Sequence, residues 1–228
     1  MSVDDRPAGL DRTFFERLTD DERASLHELA VKHTFPKDGI LMFQDEYDER
    51  LVLLLTGRVK VTRAAQRGHE LLLAIRDAGD LLGELAFIDG LPRVATVTAL
   101  EPVDALVLSG ERFRSYLERT PRVAVVLLES VASRFRESTV KRLQFAASDT
   151  LGRLSSRIVE LADRYGAQTE DGLVVAMPIS HDELASWTGA SRAGVAHGLH
   201  TLRELGWLTT ERRKLIVRDV AALRNRSA

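Results

Sequence analysis

The stretch Ser180-His181-Asp182-Glu183-Leu184-Ala185-Ser186-Trp187-Thr188-Gly189-Ala190-Ser191-Arg192 holds two helix starts in close succession. Ser180 with Glu183 three residues later is a capping-box pattern, in which hydroxyl and carboxylate each satisfy one orphan backbone N–H. Thr188-Gly189-Ala190 breaks that helix. Ser191 opens the next, predicted over Arg192 to Leu205, and Gly206 ends it as the residue past the C-cap. Beyond it, Trp207–Thr210 and Leu215–Val217 are expected as short strands. Glu211-Arg212-Arg213-Lys214 is the expected turn between them. Helix, tight turn, helix and hairpin together outline a winged helix-turn-helix.

Upstream the pattern is helical. Between Pro121 and Tyr165 there is no proline and one glycine, Gly152. Pro121 suits a first helical turn, with Thr120 as the expected N-cap. Ala124, Leu128, Val131, Phe135, Ser138, Arg142 and Phe145 are spaced alternately by four and three, a heptad-like stripe. Two readings of that stripe stand: a helix packed on its own sheet, or a seam between two subunits. A second helix, Leu151 to Tyr165, follows a break near Ser148–Asp149.

Further upstream, from Phe35 to Leu108, short apolar runs alternate with turns. The runs are Leu51–Leu55, Val59–Val61, Leu71–Ile75, Val94–Val97 and Ala105–Leu108. Gly57, Gly68, Gly79 and Gly90 punctuate them, each 11 residues after the last. Turns at that spacing predict an antiparallel sandwich or barrel. The whole is an α+β chain in three parts: residues 1–120, rich in strands with flanking helices; the long helix 121–147; and the helix-turn-helix part 148–228.

Composition removes several classes. The 228 residues contain no cysteine, which excludes disulfides, thiolate zinc sites, cysteine-held iron–sulfur clusters and thiol nucleophiles. The apolar runs are about five residues long, far short of the roughly 20 a membrane span requires. Met1 to Gly9 is polar and is not expected to be an export signal. A cytoplasmic protein is therefore expected. The formal charge of -2 averages unlike halves: residues 1–147 hold 21 basic and 24 acidic residues, whereas 203–226 hold 7 basic and 3 acidic. Near-neutrality thus leaves room for a local nucleic-acid-binding face.

One loop remains: Gly83-Glu84-Leu85-Ala86-Phe87-Ile88-Asp89-Gly90-Leu91-Pro92-Arg93-Val94-Ala95-Thr96. It offers a carboxylate and a guanidinium nine residues apart. Arginine grips phosphate through paired charge-assisted hydrogen bonds. A short helical turn, Leu85 to Ile88, can add backbone N–H groups to an anion site. A plain surface ion pair has the same composition.

That loop resembles the phosphate-binding cassette of cyclic-nucleotide-binding domains. With the β-rich part, the long helix and the winged helix in that order, the chain resembles the cyclic-AMP receptor protein and fumarate–nitrate regulator (CRP/FNR) family of bacterial transcription factors over nearly its whole length. The resemblance implies an N-terminal β-roll and a homodimer paired through the long helix at Leu128, Val131, Phe135, Ser138 and Phe145. It implies cyclic AMP as allosteric ligand, double-stranded DNA and RNA polymerase as partners, and neither a metal nor a membrane. By that likeness Glu84 takes the ribose 2′-hydroxyl and Arg93 the cyclic phosphate. Gly83, Leu85 and Ala95 contribute backbone, Val61 and Leu73 apolar walls. Arg134 is the family's helix arginine, and Ser138 and Thr139 are hydroxyls that reach adenine, one from each subunit. Val94 departs from the bacterial pattern, where a hydroxyl residue gives the phosphate an extra donor; it leans against cyclic GMP.

For DNA, the likeness assigns Arg192 to a guanine, Ser180 and Ser191 to phosphates, and the positions Gly194 and His197 to the groove face. Ala193 and His197 depart from the family's glutamate and second arginine, so its usual half-site does not carry over. Arg212, Arg213 and Lys214 in the wing are expected to meet phosphates. Ligand binding would re-register the helices and rotate the recognition helices onto a near-palindromic site.

Enzyme readings find no support. The sequence has no HExxH, GxSxG, Walker loop or GxGxxG. Three alternatives to a cyclic-AMP switch remain: a regulator active without ligand, one answering another ligand such as a cyclic dinucleotide or a haem-bound gas (with His33 or His69 as iron ligand), and a nucleotide-sensing module whose winged helix binds protein.

Overall fold

The computed structural model describes residues 12–64, 70–176, 179–211 and 214–227. They form two compact units. One comprises 12–64 and 73–137; the other comprises 138–227 with 70–72. No helix among the described residues is long and apolar enough to cross a membrane.

In the first unit, Thr19 and Glu22 form a capping box that starts α1 (Asp20–Leu29). Strands follow as β1 (Val31–Phe35), β2 (Ile40–Met42), β3 (Leu51–Leu54), β4 (Val59–Ala64), β5 (Glu70–Arg76) and β6 (Leu81–Leu82). Then come α2 (Glu84–Asp89), β7 (Thr96–Ala99), β8 (Val103–Leu108), α3 (Gly110–Arg119) and the long α4 (Pro121–Ala147), whose residues 138–147 belong to the second unit. They make two sheets, ordered β1-β8-β3-β6 and β2-β7-β4-β5; the strand pairings resolved in both are antiparallel.

The continuous apolar run of β3 has a physical explanation. Successive strand residues point to opposite faces. Leu51 and Leu53 enter a core shared with Phe113, Val123, Val126 and Leu127 of the helices. Val52 and Leu54 enter another, shared with Val59, Val97 and Ala99 of the second sheet. A strand covered on both faces has no polar side to alternate with.

The strand expected over Val94–Val97 begins only at Thr96, so Val94 and Ala95 belong to the loop before it. Thr120 closes α3 through its main chain, donating to the Tyr116 carbonyl at 2.9 Å. Its own carbonyl accepts from Val123 N–H at 2.9 Å.

The second unit contains α5 (Thr150–Tyr165), β9 (Gly166–Thr169), β10 (Gly172–Ala176), α6 (His181–Thr188), α7 (Arg192–Glu204), β11 (Leu208–Glu211), β12 (Lys214–Val217) and α8 (Val220–Ser227). Asp149 caps α5 by accepting from Gly152 N–H at 2.8 Å. Leu154, Ile158 and Leu161 of α5, Leu184 of α6 and Val195 and Leu202 of α7 are fully buried. The tight turn rests on Gly189, at φ 60°. A Cβ there would lie 2.5 Å from the Phe145 ring, so shape and backbone both require glycine.

Glu211 and Lys214, expected in a turn, are instead the paired ends of β11 and β12. Arg212 and Arg213 lie outside the described residues. The hairpin of β9 and β10 and the last helix α8 were not expected. β10 sits inside the sheet β11-β12-β10-β9, between β12 and β9.

Candidate ligand and nucleic-acid sites

Gly83 takes φ 86° immediately before α2. A Cβ at this position would stand 2.3 Å from Arg93 Nη1 and 2.7 Å from the Arg50 carbonyl. That close approach lets Arg93 fold inward, where it is 3% exposed. Arg93 Nη1 donates to the Gly83 carbonyl at 3.0 Å. Nη2 donates to the Arg50 carbonyl and lies 3.3 Å from Asp48 Oδ2. The buried Nε–H has no hydrogen-bond partner among the described residues. A buried arginine with an unfilled donor is a cation awaiting an acceptor.

Glu84 is held from the other side. Its Oε1 accepts from Arg134 Nη1 at 2.7 Å, while Arg134 Nη2 donates to Asp80 Oδ1 at 3.0 Å. Burial works against the Arg134 charge, but the two carboxylates outweigh it and hold its pKa above the usual arginine value. A carboxylate has about four lone-pair sites, so Glu84 keeps acceptor capacity for a hydroxyl.

The structure thus brings together Gly83, Glu84, Arg93 and Arg134 of the residues singled out from sequence. Leu85 is exposed at the first turn of α2, Val94 is 50% exposed and Ala95 is buried. Val61 is half-buried on β4 and Leu73 is partly exposed on β5. Ser138 and Thr139 are exposed on α4, about one helical turn beyond Arg134. Sequence reasoning missed Asp48, Arg50 and Asp80. They come from loop positions with no spacing that ties them to the cassette.

On burying Asp48, desolvation raises its carboxyl pKa. Hydrogen bonds from the Arg50 side chain and backbone and from Arg93 outweigh that and hold it below its usual value.

Along α4, Val123, Val126 and Leu127 are buried in the first unit's core. Leu128 is 61% and Phe135 72% exposed, with Val125, Val140 and Leu143 exposed beside them. Val131 is half-buried. Phe145 faces the turn at Gly189, and the Arg153 guanidinium lies 4.5 Å from its ring centroid.

In the second unit the two serines act as caps. Ser180 Oγ accepts from Glu183 N–H at 3.2 Å, and Ser191 Oγ accepts from Gly194 N–H at 3.0 Å. Arg192 stands at the start of α7 with its side chain 74% exposed, 3.4 Å from Asp182 across the turn. His197 and Ala193 are exposed beside it and Gly194 is half-buried. Lys214 is exposed in the hairpin, 4.0 Å from Glu211. His33 stacks on Phe35 at 4.5 Å; His69 lies outside the described residues.

Residues 32–120 match the family model of a cyclic nucleotide-binding domain, and residues 152–226 that of a Crp-like helix-turn-helix domain. The CRP-like cAMP-activated global transcriptional regulator of Mycobacterium tuberculosis (strain ATCC 25618 / H37Rv) is 30% identical over 193 residues, spanning 85% of this chain and 86% of its own length. The global nitrogen regulator of Synechocystis sp. (strain ATCC 27184 / PCC 6803 / Kazusa) is 27% identical over 195 residues, spanning 85% and 87%. Among solved structures, the c-di-GMP responsive global regulator CLP of Xanthomonas campestris superposes with a TM-score of 0.76. It covers 85% of this chain and 98% of that one; at 19% identity the likeness is one of fold.

Proposed function

Because the chain belongs to the CRP/FNR family of DNA-binding transcription regulators and carries a cyclic-nucleotide-binding domain, we propose that it is a cytoplasmic homodimer whose grip on DNA is switched by cyclic AMP. The observation that carries this reading is Arg93: buried, cationic and left with an unfilled Nε–H, one loop away from Glu84. A cyclic phosphate satisfies the guanidinium and a ribose 2′-hydroxyl satisfies Glu84. The relative from Mycobacterium tuberculosis, named for activation by cyclic AMP, supports the choice of ligand.

In this reading α4 pairs with its copy in a second subunit. Leu128 and Phe135 are large apolar side chains exposed on it at heptad spacing, as a seam requires. Ser138 and Thr139 follow on the same helix, as donors to the adenine. Arg192 reads a guanine through two hydrogen bonds, while Ser180, Ser191 and Lys214 approach phosphates and Gly194 and His197 lie against the groove. Two recognition helices then meet successive major grooves about 34 Å apart on a near-palindrome, from which the dimer contacts RNA polymerase. Cyclic AMP shifts the equilibrium only by its differential affinity for the two states.

The test is a fluorescence-anisotropy titration of a palindromic DNA with and without cyclic AMP. The expected result is tighter binding with ligand, a steep fall of log K with log salt, and a loss of about 1–3 kcal/mol of base discrimination in Arg192→Ala. Equal affinity with and without ligand would sink the switch. A salt-insensitive interaction would favour a winged helix that binds protein.

Val94 favours a second reading. It offers no hydroxyl to a phosphate, and the fold is shared with a regulator named for its response to c-di-GMP. Calorimetry with a panel of cyclic mono- and dinucleotides separates the two ligands.

A further inference from the structure

Val94 withholds a donor from the cassette, and the structure shows what stands beside it. Arg63 lies on β4, where Val61 and Arg63 share one face because strand side chains alternate. Thr62 between them is buried on the other face. The antiparallel register that pairs Thr62 with Thr96 runs the next residue, Arg63, toward the end of the cassette. Its Nη1 indeed donates to the Val94 carbonyl.

The charges differ between the two arginines. Arg93 shares its charge with Asp48 and spends two nitrogens on backbone carbonyls. Arg63 is exposed, and among the described residues no carboxylate pairs with it. Among the described residues one of its five N–H donors is engaged, by the Val94 carbonyl, leaving four for an incoming acceptor.

Resting on the reading of the cassette as a nucleotide site, we propose that Arg63 is a second phosphate-binding guanidinium, supplying from β4 the donor that Val94 lacks. The nucleotide phosphate is then held between an inner arginine, Arg93, and an outer one, Arg63. The outer one gives long-range attraction because its charge is not offset. The Val94 carbonyl orients the guanidinium before ligand arrives, so less rotamer freedom is lost on binding.

The test is calorimetry of the full chain with cyclic AMP for the wild type, Arg63→Gln, Arg63→Ala and Arg63→Lys, with a thermal melt of each. Glutamine can still donate to the Val94 carbonyl but carries no charge. The expected result is a Kd weakened about tenfold in both neutral variants, the cost of one charge-assisted contact. Their melts stay unchanged and their Kd varies less with salt. Lysine keeps the charge without the fork and falls between. Arg63→Gln within twofold of wild type would make Arg63 a brace for the loop and overturn the proposal. So would Arg63→Lys as weak as Arg63→Gln. A wild type that binds no cyclic AMP would overturn cyclic AMP as the cassette's ligand and the proposal with it.

Discussion

The cassette and α7 use arginine in opposite ways. Arg93 and Glu84 are turned inward and partnered: Arg93 with two carbonyls and Asp48, Glu84 with Arg134. Arg192 and His197 are turned outward, with the exposed Asp182 3.4 Å from Arg192. In the proposed reading a ligand at the cassette must therefore exchange or supplement interactions that hold the fold, whereas DNA at α7 would meet side chains that the fold does not need. A switch belongs in the first kind of site, because only there does binding alter what the resting structure is made of.

The largest expected effect tests that contrast directly. Arg93→Ala removes a donor from the Arg50 carbonyl and leaves a void beside Gly83. It should destabilise the first unit by on the order of 3 kcal/mol. Arg192→Ala should change stability by less than about 0.5 kcal/mol, as exposed substitutions do. Urea unfolding followed by circular dichroism reads the first. Both tryptophans, Trp187 and Trp207, lie in the second unit, so their fluorescence reads that unit separately. Equal losses in the two variants would break the comparison.

The difference also explains what was legible in the sequence. The helix starts at Ser180 and Ser191 were visible because caps act over three residues, and the structure uses both hydroxyls as caps. Glu84 and Arg93 were visible because one loop carries both. Asp48, Arg50 and Asp80 were not, because their contact with the cassette is made by sheet pairing between distant segments. Gly83 gave a turn signal but not the reason for it, which is the passage of Arg93 beneath its missing Cβ. The heptad stripe gave a periodicity without saying which face was open. Val123, Val126 and Leu127 turn one face into the core and leave Leu128 and Phe135 outside. The hairpin of β9 and β10 turns on Glu170-Asp171, with Thr169 paired to Gly172, and that dipeptide is not one of the strong short-range hairpin signals.

A middle-sized effect sharpens the comparison at Ser191, where a cap and a phosphate contact are assigned to one hydroxyl. Ser191→Ala should cost about 1 kcal/mol of stability by losing the cap on α7. Ser191→Asp keeps an acceptor for the Gly194 N–H and suits the positive end of the helix. Its charge would repel a DNA phosphate. The expected outcome is an aspartate variant as stable as wild type that binds palindromic DNA more weakly at low salt. An aspartate variant with unchanged DNA affinity would leave Ser191 a cap alone.

The smallest expected effect is in acid. Asp48 has a folded pKa below its ordinary value of 3.8, since Arg50 and Arg93 outweigh its burial. Asp149 is lowered too, by the Gly152 N–H first and then by Arg226. In the unfolded chain a carboxyl of this kind titrates near about 3.9. Each group therefore contributes stability that is present above that value and is lost as pH falls through its lower folded pKa. Asp48→Asn should flatten the fall in stability between about pH 5 and pH 3 as seen by circular dichroism, and leave tryptophan fluorescence alone. Asp149→Asn, whose amide oxygen still caps α5, should flatten the fluorescence transition instead. A variant that flattened both signals equally would show the two units melting as one in acid. The cassette's internal charges would then support the reader as well as the sensor.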